Sequence, residues 1–226
     1  MLRRTIIKPM FEIALRIMDD AVPVVKIKRF LVNGVNRVGK LIKENPRKLN
    51  AQDIQEYHLA RARCAELGLP TPKIDQVPDS TLIPAITEQE FHKWLDSLSG
   101  GKIITRNRII SRSGKYLLFW INQSTNEKRL EENMEDLLRH VEVKRKDSLL
   151  INPHAKSSEA WLEKHTVSIA FSVYARKTHD FRFLNAAFKL NDWAYPNHKR
   201  QPVGRQLIRY LWALAEAETS ARELFD

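Results

Sequence analysis

The side chains best suited to proton transfer lie between residues 157 and 193. They are His165, His179 and Asp180. Histidine titrates near neutral pH, so it can act as a general base, and a carboxylate can fix the tautomer of its ring. Asp180 also occupies the position expected for a helix N-cap, where a carboxylate accepts backbone N–H groups of the first turn. Two interpretations therefore stay open: proton-transfer groups of an enzyme, or capping and surface groups.

Several signatures of enzyme and metal sites are absent from the sequence. The chain has only seven glycines and no Gly-rich phosphate loop, which argues against a Rossmann domain or a P-loop NTPase. It contains neither a Gly-x-Ser-x-Gly elbow nor a His-Glu-x-x-His helix. Cys64 is the single cysteine, which excludes an internal disulfide and a cysteine-based zinc site. The sequence predicts no metal site and no cofactor.

The charge of the chain predicts an anionic partner. Its formal net charge is +11, and the excess is concentrated in two segments. Eight bases and one acid lie between Val24 and Lys48, and a second basic group lies between Arg106 and Lys115. The predicted binding residues in these segments are Lys26, Arg29, Arg37, Lys40, Lys43, Arg106, Arg108, Arg112 and Lys115.

Hydrophobic periodicity predicts the elements that must position these residues. Apolar residues recur at helical spacing between residues 24 and 42, between 157 and 193 as two helices, and after Pro202 as a final helix. Capping boxes are predicted at Asn50 with Asp53 and at Thr87 with Glu90. Two β-type apolar runs flank residues 111–114, so we expect a β-hairpin near 102–122 with Gly114 in its turn.

These elements predict a mainly α fold: a helical bundle-like domain with one small β-hairpin and a basic N-terminal helical arm. Residues 1–70 are predicted to form the arm, and residues 71–84 a Pro-rich linker. Residues 85–226 are predicted to form the principal helical domain.

One short segment resembles a known family. Residues 175–187, ARKTHDFRFLNAA, resemble the turn between paired helices in α/α-toroid proteins of carbohydrate metabolism. This resemblance implies a turn between two packed helices and a glycan-related activity. A full toroid needs more helix pairs than this chain can hold, so no functional residue is transferred from that family.

Three functions follow as hypotheses. The first is a non-enzymatic binding protein that engages an anionic partner, a nucleic acid in our interpretation, through the basic helix and hairpin. The second is a transferase or hydrolase acting on a phosphate-bearing or glycan substrate. The third is a peripheral membrane protein that inserts apolar residues of its first 18 positions into an anionic membrane surface. The arm is also predicted to be able to bind a protein partner. We expect a cytoplasmic protein, or one held peripherally at a membrane.

Overall fold

Amphipathic repeats of the sequence form a mainly helical structure. The computed structural model describes residues 21–45, 49–71, 86–105, 108–109, 113–123, 127–143, 158–192 and 205–225. Over these ranges there are eight α-helices. They are α1 (Ala21–Glu44), α2 (Ala51–Glu66), α3 (Glu88–Ser97), α4 (Ser113–Gln123), α5 (Lys128–Val143), α6 (Ser158–Thr178), α7 (Phe181–Asp192) and α8 (Arg205–Phe225). The prediction of a mainly α fold is confirmed.

Side-chain caps determine where several helices begin and end. Asn50 and Asp53 form a reciprocal capping box at the start of α2, and Thr87 and Glu90 form another at the start of α3. These two predictions are confirmed. Helix α2 ends where Gly68 adopts φ 71°, a left-handed conformation that glycine tolerates without Cβ strain.

Helix α6 is the central element, and it is buried on nearly all sides. It packs against α4, α7 and α8. Its small polar residues Ser168 and Ser172 can be buried because their hydroxyl groups form hydrogen bonds. The Ser168 hydroxyl donates to the Ala187 carbonyl of α7 at 3.1 Å, and the Ser172 hydroxyl donates to the Ser168 carbonyl at 3.0 Å. Satisfied hydroxyls of this kind remove the free-energy cost of burying polar groups.

Two hydrophobic clusters meet along α8. The first cluster joins α1 and α2 to the first half of α8, with Leu211 and Leu214 among its members. The second cluster contains residues of α3, α4, α5, α6 and α7, together with Ala217 and Ala221 from the second half of α8. Helices α1 and α2, which lie in the predicted N-terminal arm, therefore pack against α8 of their own chain. The division into arm, linker and domain stays a prediction, because most of the linker lies outside the described residues.

The predicted hairpin over residues 102–122 is wrong in its second half. Among the described residues of this segment, only a two-residue antiparallel pairing is present, between β1 (Ile104–Thr105) and β2 (Arg108–Ile109). Residues 113–123 form α4 instead of a strand. Short apolar runs fit a buried helix as well as a strand, and here the buried positions follow helical spacing. They are Ser113, Gly114, Leu117, Trp120 and Ile121.

Gly114 also has a different role from the predicted one. It has no positive φ, and it lies in the first turn of α4. A Cβ atom there would lie 2.7 Å from Cβ of Thr166, so glycine is required for the close approach of α4 to α6. The backbone N–H of Gly114 donates to Oε1 of Glu163 at 2.8 Å, which satisfies one free amide of the helix start.

Candidate functional site

Helix α1 has a buried apolar side and an exposed basic side. Its buried residues pack against α2 and α8, and they include Leu31, Val35, Val38 and Ile42. The opposite side is exposed and carries four of the predicted binding residues. We call these four residues the basic face of α1: Arg29, Arg37, Lys40 and Lys43. Lys28 is exposed at the edge of this face.

The basic face is only weakly neutralised by its own helix. Helix α1 contains six bases and a single acid, Glu44. Nζ of Lys40 lies 3.6 Å from Oε1 of Glu44, and their side chains are 75% and 57% exposed. Water screens such an exposed pair strongly, so it holds neither side chain firmly. Arg29 and Lys43 are separated by about 21 Å along the helix axis.

The other predicted binding residues do not extend this face. Arg106 and Arg112 lie outside the described residues, as do the side chains of Lys26 and Arg108. Lys115 is half-buried in the first turn of α4. The second predicted basic group, near the hairpin, therefore lacks a described surface comparable to that of α1.

The three candidate proton-transfer residues lie in different environments. His165 is fully buried within α6, and its ring centroid lies 4.8 Å from that of Tyr210. His179 is exposed, one residue beyond the end of α6, with φ 53°. The two histidines are about 21 Å apart along the direction of α6. The structure therefore does not bring them together in one site.

Asp180 acts as the N-cap of α7 and as a partner of Arg182. Its Oδ1 accepts the backbone N–H of Arg182 at 2.9 Å, which agrees with the capping interpretation. The guanidinium of Arg182 also donates to Asp180, from Nε to Oδ2 at 3.0 Å, and to Glu135 of α5. These hydrogen bonds to Asp180, followed by those to Glu135, raise the pKa of Arg182 above its usual range.

A buried ion pair between α2 and α8 was not predicted from the sequence. Nε of Arg209 donates to Oε2 of Glu56 at 2.7 Å, and a second guanidinium nitrogen donates to Oε1. The third nitrogen donates to the Thr166 hydroxyl of α6. All three residues are at most 4% exposed. The bidentate geometry compensates for the burial of the two charges.

A second charged cluster lies two turns further along the same helices. Nε of Arg63 donates to Oε2 of the buried Glu216 at 2.9 Å, and Arg176 of α6 donates to its other oxygen. Nε1 of Trp212 also donates to Glu216, at 3.2 Å. The two clusters hold α2, α6 and α8 together by charge-assisted hydrogen bonds.

The order of charges fixes the register of α2 and α8. Glu56 pairs with Arg209 and Arg63 pairs with Glu216, each across 153 residues of sequence, so the helices run parallel. Each helix presents its two charges seven residues apart in opposite order. A slip of seven residues in either direction would place like charges opposite each other. This seven-residue spacing is the signal by which the sequence could have revealed the pairing.

Burial suppresses the ionisation of Cys64 and Tyr57. Burial raises the pKa of the Cys64 thiol to about 12 and that of the Tyr57 phenol to about 12. The Tyr57 hydroxyl donates to the Val35 carbonyl at 3.3 Å and so links α2 to α1. Cys64 is thus a packing residue of low thiolate content.

The described part of the chain contains neither a candidate metal cluster nor a candidate membrane span. Within it, no group of three or more His, Cys, Asp and Glu residues could hold a metal ion. None of the described helices combines the length and the apolar character that crossing a membrane requires.

Comparison of the chain with protein-family models, with curated proteins and with solved structures gives no match in any of the three. No family assignment follows, and only the chain's own residues bear on its function.

Proposed function

We propose that the protein is a binding protein that engages a nucleic acid through the basic face of α1. The observation that supports this is the exposure of Arg29, Arg37, Lys40 and Lys43 on one side of a helix whose other side is buried. Packing against α8 fixes the helix, so the backbone that carries these charges is ordered before binding. Arginine and lysine side chains along a helix neutralise phosphates of a nucleic acid and release the counterions condensed on it, which favours association.

A nucleic acid fits the basic face better than a membrane surface does. A helix that lies in a membrane interface inserts its apolar side between the lipids. Between residues 28 and 44 the apolar side of α1 is buried against α2 and α8, and the exposed residues are charged or carry an amide. Phosphates of a nucleic acid can be bound by these charges without apolar insertion. The apolar residues proposed to enter a membrane lie within residues 1–20, outside the described residues.

An enzymatic function has less support. His165 is enclosed in the core, whereas His179 is exposed at a turn, and Asp180 is occupied by capping and by Arg182. A general base must reach the proton that it removes, and these positions do not converge on one substrate. A protein partner of residues 1–70 stays a separate prediction.

The decisive experiment measures binding of fluorescently labelled single- and double-stranded nucleic acids by anisotropy, at several salt concentrations. The test variant reverses the basic face with Arg29→Glu, Arg37→Glu, Lys40→Glu and Lys43→Glu. The control variant reverses four exposed lysines of other elements: Lys93→Glu, Lys102→Glu, Lys128→Glu and Lys189→Glu. Each set changes the formal net charge from +11 to +3, so the two variants have the same net charge and differ in the surface that carries the change.

We expect the test variant to lose binding and the control to keep most of it. If the four residues each contact a phosphate, the salt dependence of wild-type binding should be steeper than that of the variant by about 3 to 4 in logarithmic slope. Equal losses in the two variants would mean that net charge alone drives association, and the proposal would be wrong. If the wild-type protein bound anionic vesicles and bound neither single- nor double-stranded nucleic acid, the membrane alternative would be favoured instead.

A further inference from the structure

The basic face of α1 surrounds two exposed amides. Asn33 and Asn36 are exposed, and they lie between Arg29 and Lys40 along the helix. At about 100° per residue, the two amides point within roughly 60° of each other and near the middle of the exposed side. Arg37 and Lys43 lie on either flank of this pair. Neutral hydrogen-bonding groups therefore occupy the centre of a positively charged surface.

Asparagine at these two positions lowers the stability of the helix. It has lower helix propensity than lysine, glutamine or alanine, any of which could occupy an exposed helical site. Neither Asn33 nor Asn36 lies near the ends of α1, so neither caps the helix. Two such residues one turn apart place a pair of hydrogen-bonding amides on the exposed side of α1.

We propose that Asn33 and Asn36 form hydrogen bonds with the edges of nucleobases in the major groove of double-stranded DNA. The surrounding arginines and lysines of the basic face bind the phosphates. This inference rests on the proposed function. The amide of asparagine can pair with adenine through N6 and N7, two atoms that adenine presents together in the major groove. Asn33 and Asn36 are about 4.5 Å apart along the helix, somewhat more than the roughly 3.4 Å between adjacent base pairs.

The dimensions of α1 favour B-form DNA over RNA. Its exposed residues extend around roughly 180° of the helix, from Lys28 to Arg37. The major groove of B-DNA is about 12 Å wide and admits an α-helix, whereas that of A-form RNA is too narrow for side chains to read. The interval of about 21 Å from Arg29 to Lys43 corresponds to about six base-pair steps. We therefore expect one short site that contains adenine.

The test is sequence selection from a random double-stranded DNA library, followed by titration of the selected duplex. Three proteins are compared: wild type, Asn33→Ala/Asn36→Ala, and the control Asn45→Ala, which removes an exposed amide just beyond α1. None of these substitutions changes the charge. Alanine also has the higher helix propensity, so the double variant should fold. Far-UV circular dichroism and urea denaturation check this.

We expect wild type and Asn45→Ala to select the same adenine-containing motif. The double variant should lose about 5- to 150-fold of discrimination per adenine contacted, with unchanged affinity for random duplex and an unchanged salt slope. If the double variant selects the same motif as wild type, the role given to the two asparagines is wrong. Preference for RNA or single strands would also overturn it.

Failure of this inference can be separated from failure of the proposed function. If wild type selects no motif but reversal of the basic face still removes duplex binding, base reading is wrong and nucleic-acid binding stands. If wild type binds no nucleic acid in either experiment, both proposals are wrong.

Discussion

Removal of Arg209 should destabilise the fold more than removal of any exposed arginine. In Arg209→Met, the Glu56 carboxylate would stay in an environment where it is 4% exposed, without its bidentate partner. Breaking a buried pair by removing one member costs about 3–5 kcal/mol, because the remaining charge is uncompensated. Native proteins have free energies of unfolding of only about 5–15 kcal/mol, so this is a large fraction of the total.

Urea denaturation followed by tryptophan fluorescence and far-UV circular dichroism measures this loss. A loss of about 3–5 kcal/mol should also lower Tm by roughly 6–20 °C for a chain of this size. Arg139→Met is the matched control, since Arg139 pairs with Asp136 and its side chain is 69% exposed. We expect the control to change the free energy of unfolding by no more than about 1 kcal/mol.

The double variant Glu56→Met/Arg209→Met separates the ion pair from simple loss of packing. Without either charge, two apolar side chains fill a similar volume, and most of the stability should return. The double-mutant cycle should give a coupling energy of at least about 2 kcal/mol. A loss below about 1 kcal/mol in Arg209→Met, or additive losses in the double variant, would refute the reasoning.

Further predictions concern caps, close packing and ionisation. Asp180→Ala should lower the free energy of unfolding by about 1–2 kcal/mol in urea, whereas Asp180→Asn should keep the cap and lose less; equal losses would mean that capping is unimportant there. Gly34→Ala places a Cβ atom 2.5 Å from Cδ2 of Leu211 and should cost about 1–3 kcal/mol, with a smaller effect when combined with Leu211→Ala; additive effects in thermal unfolding would contradict this contact. Burial raises the pKa of the Cys64 thiol to about 12, so at pH 8 it should react with a disulfide reagent roughly 30- to 60-fold more slowly than after unfolding, before any effect of restricted access. A fast reaction of the native protein would disprove its burial. Burial raises the folded-state pKa values of Cys64 and Tyr57, so their contribution to the free energy of unfolding is full below pH 9 and should fall between pH 9 and 12. A free energy of unfolding that stays constant over this interval, measured by urea denaturation, would contradict the raised pKa values.

Local patterns in the sequence predicted every described helix except α4, but they did not predict how charged residues pair. The caps at Asn50, Thr87 and Asp180 depend on neighbouring residues, so spacing alone was enough to place them. The apolar run of α4 was misassigned because a strand and a short buried helix share the same composition. The partners Glu56 and Arg209 are separated by 153 residues. The seven-residue spacing of charges in α2 and α8 is compatible with this pairing, but it does not by itself show that these two helices are neighbours.

The candidate site, like the fold, could be predicted only in part from the sequence. Amphipathic spacing predicted which residues of α1 carry the basic side, and the structure places Arg29, Arg37, Lys40 and Lys43 there. The sequence did not indicate that His165 is enclosed, because a polar residue on a helix is usually assigned to a solvated side. Its burial follows from α6 being surrounded by α4, α7 and α8, which only the tertiary structure reveals.

The position of α8 in both hydrophobic clusters has a consequence for the order in which the chain can fold. This helix is synthesised after every other described helix, so neither cluster can be completed before residues 207–221 have left the ribosome. Until then α1 and α2 expose the apolar surfaces that α8 later covers. Contacts that span about 150 residues also slow folding, because a long loop must close before they form. The apolar surfaces of α1 and α2 that pack on α8 should therefore stay exposed until α8 has left the ribosome.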